Sequence, residues 1–168
     1  MDRELPWTGP DYVSPLDLYG RPNGRGPAVL PEGANASCPG YTCSNSRLLS
    51  QLTLGTWGAN AGNDCWGYVS GSGREYALMG LSNGTAVVDI TVPGSPNTIG
   101  FISGPSSTWR DMKVFGTYMY IVSEGGGGIQ VVDMSQVDSG IVTQLGSVTT
   151  GGTQASHNVA IDTVSGFL

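Results

Sequence analysis

The chain has 168 residues with a formal net charge of −6, only 12% charged residues and 27 glycines. Its seven basic residues form no cluster, which argues against nucleic acid or an anionic membrane surface as a partner. No apolar run is long enough to predict a transmembrane segment. Because tight hairpins use glycine and helices tolerate it poorly, this composition favours an all-β protein.

Residues 1–45 are predicted to form an extended arm rich in proline and glycine. They hold seven of the ten prolines. Since proline removes a backbone donor and restricts the residue before it, neither a regular helix nor a central strand is expected there. Aromatic and aliphatic side chains are scattered through the arm without a period, and they could anchor it on another surface.

The remainder, residues 46–168, is predicted to consist of short strands in repeated units. Residues 48–54 alternate in part and predict a strand before the first unit. The first unit, 64–102, has predicted strands at 65–69, 75–81, 85–89 and 98–102, and the second unit, 111–148, has them at 112–115, 118–123, 129–133 and 142–148. Asn83-Gly84 predicts a tight type I′ turn in the first unit. A third unit starts at 158.

Three dipeptides open these units: Asn63-Asp64, Arg110-Asp111 and His157-Asn158, at a constant step of 47 residues. A repeat of roughly 40–50 residues that holds about four strands has the size of one β-propeller blade. The pattern therefore predicts a partial β-propeller of about two and a half four-stranded antiparallel blades. We expect the chain to be a piece of a longer polypeptide, or a subunit that other chains complete.

Five segments carry a resemblance to a known family: NDCWGY at 63–68, GREYALMGLSNGT at 73–85, WRDMKV at 109–114, YIVSE at 120–124 and SHNVAI at 156–161. Over about residues 43–168 they resemble the choice-of-anchor B proteins, which are extracellular or surface proteins with LVIVD-type β-propeller repeats. The resemblance implies an extracellular or cell-surface location and no established catalytic activity. The N-terminus lacks the basic-then-apolar order of a signal peptide, so the expected location rests on the resemblance.

The three dipeptides are the strongest candidates for a functional site. In a propeller the first strand of each blade lines the channel, so equivalent residues converge at one channel mouth. The candidates are Asn63, Asp64, Arg110, Asp111, His157 and Asn158. Their oxygen atoms could hold a hard cation such as Ca²⁺, chiefly through Asp64 and Asp111, or a polar ligand. The interpretation we favour is that they hydrate the channel and bond to backbone groups at strand ends.

Two functions are compatible with this pattern. The favoured one is a non-enzymatic extracellular or cell-surface propeller that acts as a binding or structural module. Its partners would be proteins, through self-association or the rest of the propeller, with carbohydrate as a further candidate. The alternative is a hydrolase or lyase with a metal or acid/base site built on Asp64, Asp111 and His157. His157 is the only histidine, which excludes a zinc site with several histidines from this chain.

The cysteines and two sequons are weaker signals. Cys38, Cys43 and Cys65 permit one disulfide, and we expect Cys43 or Cys38 to pair with Cys65. Asn35 and Asn83 each begin a glycosylation sequon. The tight turn explains Asn83 without a glycan.

Two further motifs have local structural explanations. Asp89 and Asp133 each follow Val-Val and precede a turn, which predicts that they form Asx turns. Residues 80–84 have the Gly-x-Ser-x-Gly form of a hydrolase elbow. That elbow needs a helix after the serine, whereas a predicted strand follows here, so a hairpin is expected around Ser82.

Overall fold

Two four-stranded antiparallel sheets make up the structure, a computed structural model that describes residues 38, 40–42 and 48–168. Sheet 1 contains β1 (Gly62–Val69), β2 (Glu75–Leu81), β3 (Gly84–Asp89) and β4 (Asn97–Ser103). Sheet 2 contains β5 (Arg110–Phe115), β6 (Tyr118–Ser123), β7 (Ile129–Asp133) and β8 (Thr143–Val148). Strands neighbour one another in sequence order, so each sheet is a meander.

Helical structure among the described residues is limited to three short 3₁₀ segments, Leu54–Trp57, Val137–Ser139 and Thr150–Gly152. The all-β prediction is therefore confirmed, and each of the eight strands predicted within the two units overlaps an observed strand. The partial propeller stays a prediction, as does the extended arm at 1–45, most of which lies outside the described residues. Within the part of the chain that the structure describes, no helix has the length and apolar character needed to cross a membrane.

The strand predicted at 48–54 is absent, and the third unit predicted to start at 158 contains no strand among the described residues. Residues 48–53 form no strand, and the chain then makes a 3₁₀ turn whose neighbours Trp57 and Ala59 pack on sheet 1. From 158 onward there is one isolated bridge, between Asp162 and Phe167. A strand needs a partner along its edge, because unpaired backbone groups gain nothing from the extended conformation. Neither segment has such a partner among the described residues.

The hairpin between β2 and β3 turns one residue earlier than predicted. Leu81 pairs with Gly84, so the two-residue loop is Ser82-Asn83 and Gly84 already belongs to β3. Gly84 is needed for a close approach instead. A Cβ atom there would lie 2.3 Å from the carbonyl oxygen of Ile102 and 2.5 Å from the ring of Phe101. Asn83-Gly84 therefore does mark the hairpin, but the structure requires glycine at 84 for close packing rather than for turn geometry.

The main core lies between the two sheets. Tyr76, Leu78 and Val87 of sheet 1 are at most 1% exposed and share a cluster with fully buried residues of sheet 2. The sheet 2 members are Met112, Met119, Ile121 and Val132, and Met134, which directly follows β7, belongs to the same cluster. Since burying a large aliphatic side chain contributes about 1.5–3 kcal/mol, this cluster is the largest favourable term that holds sheet 2 on sheet 1.

The far face of sheet 1 is also covered. Leu81, Ala86 and Val88 pack with Trp57 and Ala59 from the segment that precedes β1. Every residue of β3 is consequently buried. A strand buried on both faces is expected to be continuously apolar rather than alternating, and the sequence Ala-Val-Val in β3 fits this environment.

A hydrogen bond links the sheets at the edge of their core. Tyr76 is 1% exposed, and its hydroxyl donates to Asp138 Oδ1 at 2.7 Å. Burial opposes the charge of Asp138, but hydrogen bonds from Tyr76, Ser72 and Ser70 outweigh it and hold the pKa of Asp138 below its ordinary value. Because a buried hydroxyl without a partner is costly, this contact fixes the position of the Val137–Ser139 turn against sheet 1.

Candidate functional site

Hydrogen bonds to backbone amides join the first unit-opening dipeptide to the second, and the second to Val159, the residue that follows the third dipeptide. The amide of Arg110, at the start of β5, donates to Asn63 Oδ1 in β1 at 3.1 Å. The amide of Val159 donates to Asp111 Oδ2 at 2.8 Å. The bonded residues are 47 and 48 positions apart in sequence. In both cases a side-chain oxygen in the first strand of one unit accepts a hydrogen bond from a backbone amide at the start of the next unit, at nearly the same sequence separation.

Arg110 forms a buried structural bond network. Its side chain is fully buried; Nε donates to the carbonyl of Leu81 at 3.0 Å and Nη2 to the carbonyl of Pro105 at 2.5 Å. Nη1 lies 3.5 Å from Gln130 Oε1. Burial lowers the pKa of Arg110, yet guanidinium remains charged in proteins. Each of the three side-chain nitrogens therefore has an acceptor within the chain, and the ligand-binding role of Arg110 stays a prediction.

Asp64, Asp111 and Lys113 form an acidic pair bridged by an ammonium group. Lys113 Nζ lies 2.5 Å from Asp111 Oδ1 and 3.6 Å from Asp64 Oδ2. The same ammonium group lies 4.5 Å from the ring centroid of Trp66, in a cation–π contact. The position between the two carboxylates, where a cation was predicted, is thus held by Lys113.

The electrostatics of Asp111 follow from these contacts. Asp111 is 2% exposed, and burial by itself would raise the pKa of its carboxyl. Hydrogen bonds from Lys113 and from the amide of Val159 favour the charged carboxylate, so the pKa of Asp111 lies below its ordinary value. Asp111 is therefore a charged, buried anchor for two elements that follow it in the chain.

No group of three or more potential metal ligands occurs among the described residues. Asp64 and Asp111 supply two carboxylates, whereas Ca²⁺ takes six to eight oxygen ligands. The assignment of Asp64 and Asp111 as metal ligands, and of Ca²⁺ as a cofactor, stays a prediction. The contact with Lys113 does not favour it, because a bound divalent cation would have to displace the ammonium group.

His157 belongs to a different, exposed cluster. Its Nδ1 lies 2.7 Å from Glu124 Oε1, and its ring centroid lies 5.2 Å from that of Trp109. The side chains of His157 and Glu124 are 55% and 46% exposed. No hydrogen bond of the described residues joins this cluster to Asp64 or Asp111, and Asn158 makes no side-chain hydrogen bond there either.

The sequence interpretation missed Lys113 and Glu124. Lys113 is two positions after Asp111 in β5, and side chains at i and i+2 of a strand share a face, so this partner was available from the sequence. Glu124 follows β6, in the segment YIVSE. Its contact with His157 spans 33 residues, and no local pattern predicts it.

Both predicted Asx turns are confirmed. Asp89 Oδ1 accepts the amide of Thr91 at 2.9 Å, and Asp133 Oδ1 accepts the amide of Ser135 at 2.7 Å. Asp89 also forms an ion pair with Arg74. These carboxylates stabilise the turns that follow β3 and β7, as expected from their equivalent places in the two units.

The predicted disulfide to Cys65 is wrong. Cys65 is exposed and its thiol is free, while Cys38 is disulfide-bonded and Cys43 lies outside the described residues. A cysteine on an exposed strand position is held by the sheet and can pair only if a second thiol reaches the short Cα separation that a disulfide requires. The spacing of cysteines in sequence does not report that separation.

Asn83 is engaged inside the folded chain. Its Nδ2 donates to the carbonyl of Trp57 at 2.9 Å, so the nitrogen that would carry a glycan is taken up by a structural bond. Asn35 lies outside the described residues. Ser82 lies in a two-residue loop between two strands, and its Oγ accepts the amide of Asn60 at 3.0 Å, as expected for a hairpin rather than a hydrolase elbow.

No family model, curated protein or solved structure matches the chain. The likeness to the choice-of-anchor B proteins therefore stays a prediction that rests on the five segments quoted above. Functional conclusions have to come from the geometry of the two sheets, from the bonds between repeat units, and from which polar groups those bonds leave exposed to solvent.

Proposed function

We propose that the two sheets are successive blades of a β-propeller of about two and a half blades, and that this propeller is a non-enzymatic binding or structural module outside the cell or at its surface. The observation that carries the proposal is the recurring bond between units. Asn63 accepts the amide of Arg110, and Asp111 accepts the amide of Val159. The two bonds span 47 and 48 residues and start from adjacent positions of the opening dipeptides, so each unit is joined to the next in a similar way, as a radially repeated architecture requires.

A second pair of bonds supports the same repeat. The amide of Ser107 donates to the carbonyl of Ser82 at 3.0 Å, and the amide of Ser156 donates to the carbonyl of Ser123 at 3.3 Å. Ser82 directly follows β2 and Ser123 is the last residue of β6, so in both sheets a carbonyl near the end of the second strand bonds to the segment that leads into the next unit. Residues 156–159 thus stand to sheet 2 as residues 107–110 stand to sheet 1, which supports a third blade that begins at 158.

The polar groups of the predicted channel mouth support a structural role over catalysis. A hydrolase or lyase would need Asp111 to exchange a proton with a substrate. Asp111 is buried and bonded to Lys113 and to the amide of Val159. Removing it from these bonds would separate the first strand of the second unit from the start of the third. The geometry therefore favours the module over the enzyme.

The expected partners are proteins, with carbohydrate as the second class. Trp66 and Trp109 are 42% and 46% exposed, and exposed indole rings are suited to both classes because one side is apolar and the N–H is polar. Each ring already contacts a polar side chain, Lys113 over Trp66 and His157 beside Trp109. A ligand at either tryptophan would thus contact an aromatic ring together with a neighbouring donor, the ammonium group of Lys113 at Trp66 or the imidazole of His157 at Trp109.

The location is tested by treating intact source cells with a protease and detecting the chain with an antibody, before and after lysis. A surface or secreted module is cleaved on intact cells or found in the medium. A cytosolic protein of the same cells serves as the protected control. If the chain is cleaved only after lysis, together with the control, the extracellular module is ruled out.

A further inference from the structure

Within the part of the chain that the structure describes, the face of sheet 2 that points away from sheet 1 is only partly covered. Met112, Met119 and Ile121 point into the core with sheet 1, so the alternating residues of β6 and β7 lie on the opposite face. We call this opposite face the open face. It is formed by Tyr118, Tyr120, Ile129, Val131, Leu145 and Val148.

The open face corresponds, residue by residue, to the face of sheet 1 that lies buried in the core. Ile102 in β4 is 6% exposed, whereas its counterpart Val148 in β8 is 44% exposed. Both residues lie 46 positions apart and at the same place in their outer strands. The buried pair Tyr76 and Val87 likewise corresponds to Tyr120 and Val131, which are only half-buried.

The outer strands repeat the correspondence at their irregularities. β4 has a register shift opposite Val87 and Val88, which leaves Ile99 as the extra residue, and β8 has the same shift with Leu145 as the extra residue. Ile99 packs against the core between the sheets. Leu145 is 59% exposed. Equivalent apolar side chains thus differ only in whether a neighbouring sheet covers them.

The glycines beside these residues differ in the same way. A Cβ atom on Gly100 would lie 2.5 Å from Val142, which belongs to the second unit. Its counterpart in β8, Gly146, has no atom within 4 Å of that position. At Gly100 this space is filled by Val142 of the second unit, and at Gly146 the equivalent space is empty among the described residues.

One edge of the open face is already occupied by the start of the third unit. The amide of Val159 is bonded to Asp111, Val159 is 8% exposed, and Gly166 lies within contact distance of the Phe115 ring, about 3.9 Å from the position its Cβ would take. Val122, the residue of β6 nearest this edge in register with Asp111, is 3% exposed. Burial on this face is therefore greatest beside Val159, whereas Val148 and Leu145 on the outer strand are 44% and 59% exposed.

We infer that the open face is a docking surface for one kind of partner, a further four-stranded antiparallel sheet of the same repeat with residues 158–161 as its first strand. Its contacting face would carry flexible and branched aliphatic side chains, as sheet 2 does with Met112, Met119 and Ile121 where it covers sheet 1. The described residues of a second copy of this chain offer no such face, because that face is used in its own core and the far face of sheet 1 is covered.

The inference rests on the proposed propeller and is tested by supplying the sheet. A second copy of residues 111–157 is inserted between His157 and Asn158 of the full chain, which keeps the 47-residue step. Leu145→Cys is placed in the original unit, with Cys65→Ser to remove the free thiol. We expect the cysteine at 145 to react with a thiol reagent at least about tenfold more slowly in the extended chain than in the original length, since reaction then requires local opening. Val92→Cys, at a 63% exposed loop position of the first unit, is the matched control and should react equally in both.

Two outcomes overturn the inference. The first is equal reactivity of the cysteine at 145 in the extended chain and in the chain of original length. This result shows that the open face does not bind the inserted sheet, whether that sheet folds elsewhere or stays unfolded. Protection at 145 that survives Val148→Asp also contradicts it, because a buried carboxylate at 148 should undock the added sheet while leaving the original-length chain unchanged. The protease test of cell-surface location does not depend on this experiment. The docking inference can therefore be refuted while the proposed location is supported, and the reverse.

Discussion

Asp111→Asn tests whether the acidic pair is a structural anchor. The substitution keeps the shape of the side chain and one acceptor oxygen, but it removes the charge that faces Lys113 and the amide of Val159. Hydrogen bonds to charged groups contribute about 1.5–3 kcal/mol each and neutral ones about 1 kcal/mol. With two such bonds weakened in a site that is 2% exposed, we expect the free energy of unfolding to fall by about 2 kcal/mol at pH 7.

The pH dependence of this loss follows from the direction of the pKa shift. The pKa of Asp111 is lower in the folded chain than in the unfolded chain, so its contribution is fully present above the unfolded value of about 4 and is lost as the pH falls through the folded value. The difference between wild type and Asp111→Asn should therefore be largest near neutrality and shrink in acid. Urea unfolding at pH 7 and pH 3, followed by tryptophan fluorescence, measures it.

Asp64→Asn is the matched control, because its carboxylate faces the same ammonium group but its side chain is 45% exposed. Solvent screens such a pair, and we expect a change of at most about 0.5–1 kcal/mol. If Asp111→Asn costs no more than this control at pH 7, or if its cost is the same at pH 3, the assignment of Asp111 as a charged anchor is wrong.

Three further predictions follow from contacts in the two sheets. Gly104→Ala should lower the free energy of unfolding by about 1–3 kcal/mol, since its Cβ would lie 2.5 Å from the buried guanidinium; Gly94→Ala, which meets no atom within 4 Å, should be nearly neutral, and equal effects would refute the argument. Tyr76→Phe should cost about 1–2 kcal/mol and be non-additive with Asp138→Asn in a double-mutant cycle, whereas full additivity would show that the 2.7 Å bond contributes nothing. The thiol of Cys65 should react with a thiol reagent in the native protein without denaturant, as peptide mapping by mass spectrometry can verify; an unreactive Cys65 would contradict the exposed, free thiol.

The strands were predictable because their signal is local. Alternation and paired turns located β2, β3, β6 and β7 to within a residue or so of their observed ends. The turn between β2 and β3 was misplaced because glycine has two uses, positive φ and close packing, and the sequence does not say which applies at Gly84. The strand predicted at 48–54 failed because alternation does not reveal whether a partner edge exists.

The candidate site was predictable only in part. The repeat step identified the dipeptides that open the units, and one residue of each of the first two, Asn63 and Asp111, accepts a backbone amide of the following unit. The burial of Arg110, the ammonium bridge from Lys113 and the distance of His157 from Asp111 depend on neighbours from other strands. Such contacts are set by how the sheets pack, which the spacing of residues along one chain does not encode.

The meander order of the strands has a consequence for how the chain acquires its structure. Every strand of sheet 1 pairs only with strands next to it in sequence, so closing each hairpin orders a short loop and loses little chain entropy. Contacts between the sheets span longer separations, such as the 62 residues between Tyr76 and Asp138. Sheet 1 can therefore form while later residues are still being synthesised, with each new sheet condensing on the one before it, and the rate-limiting step should be the docking of preformed sheets rather than strand pairing.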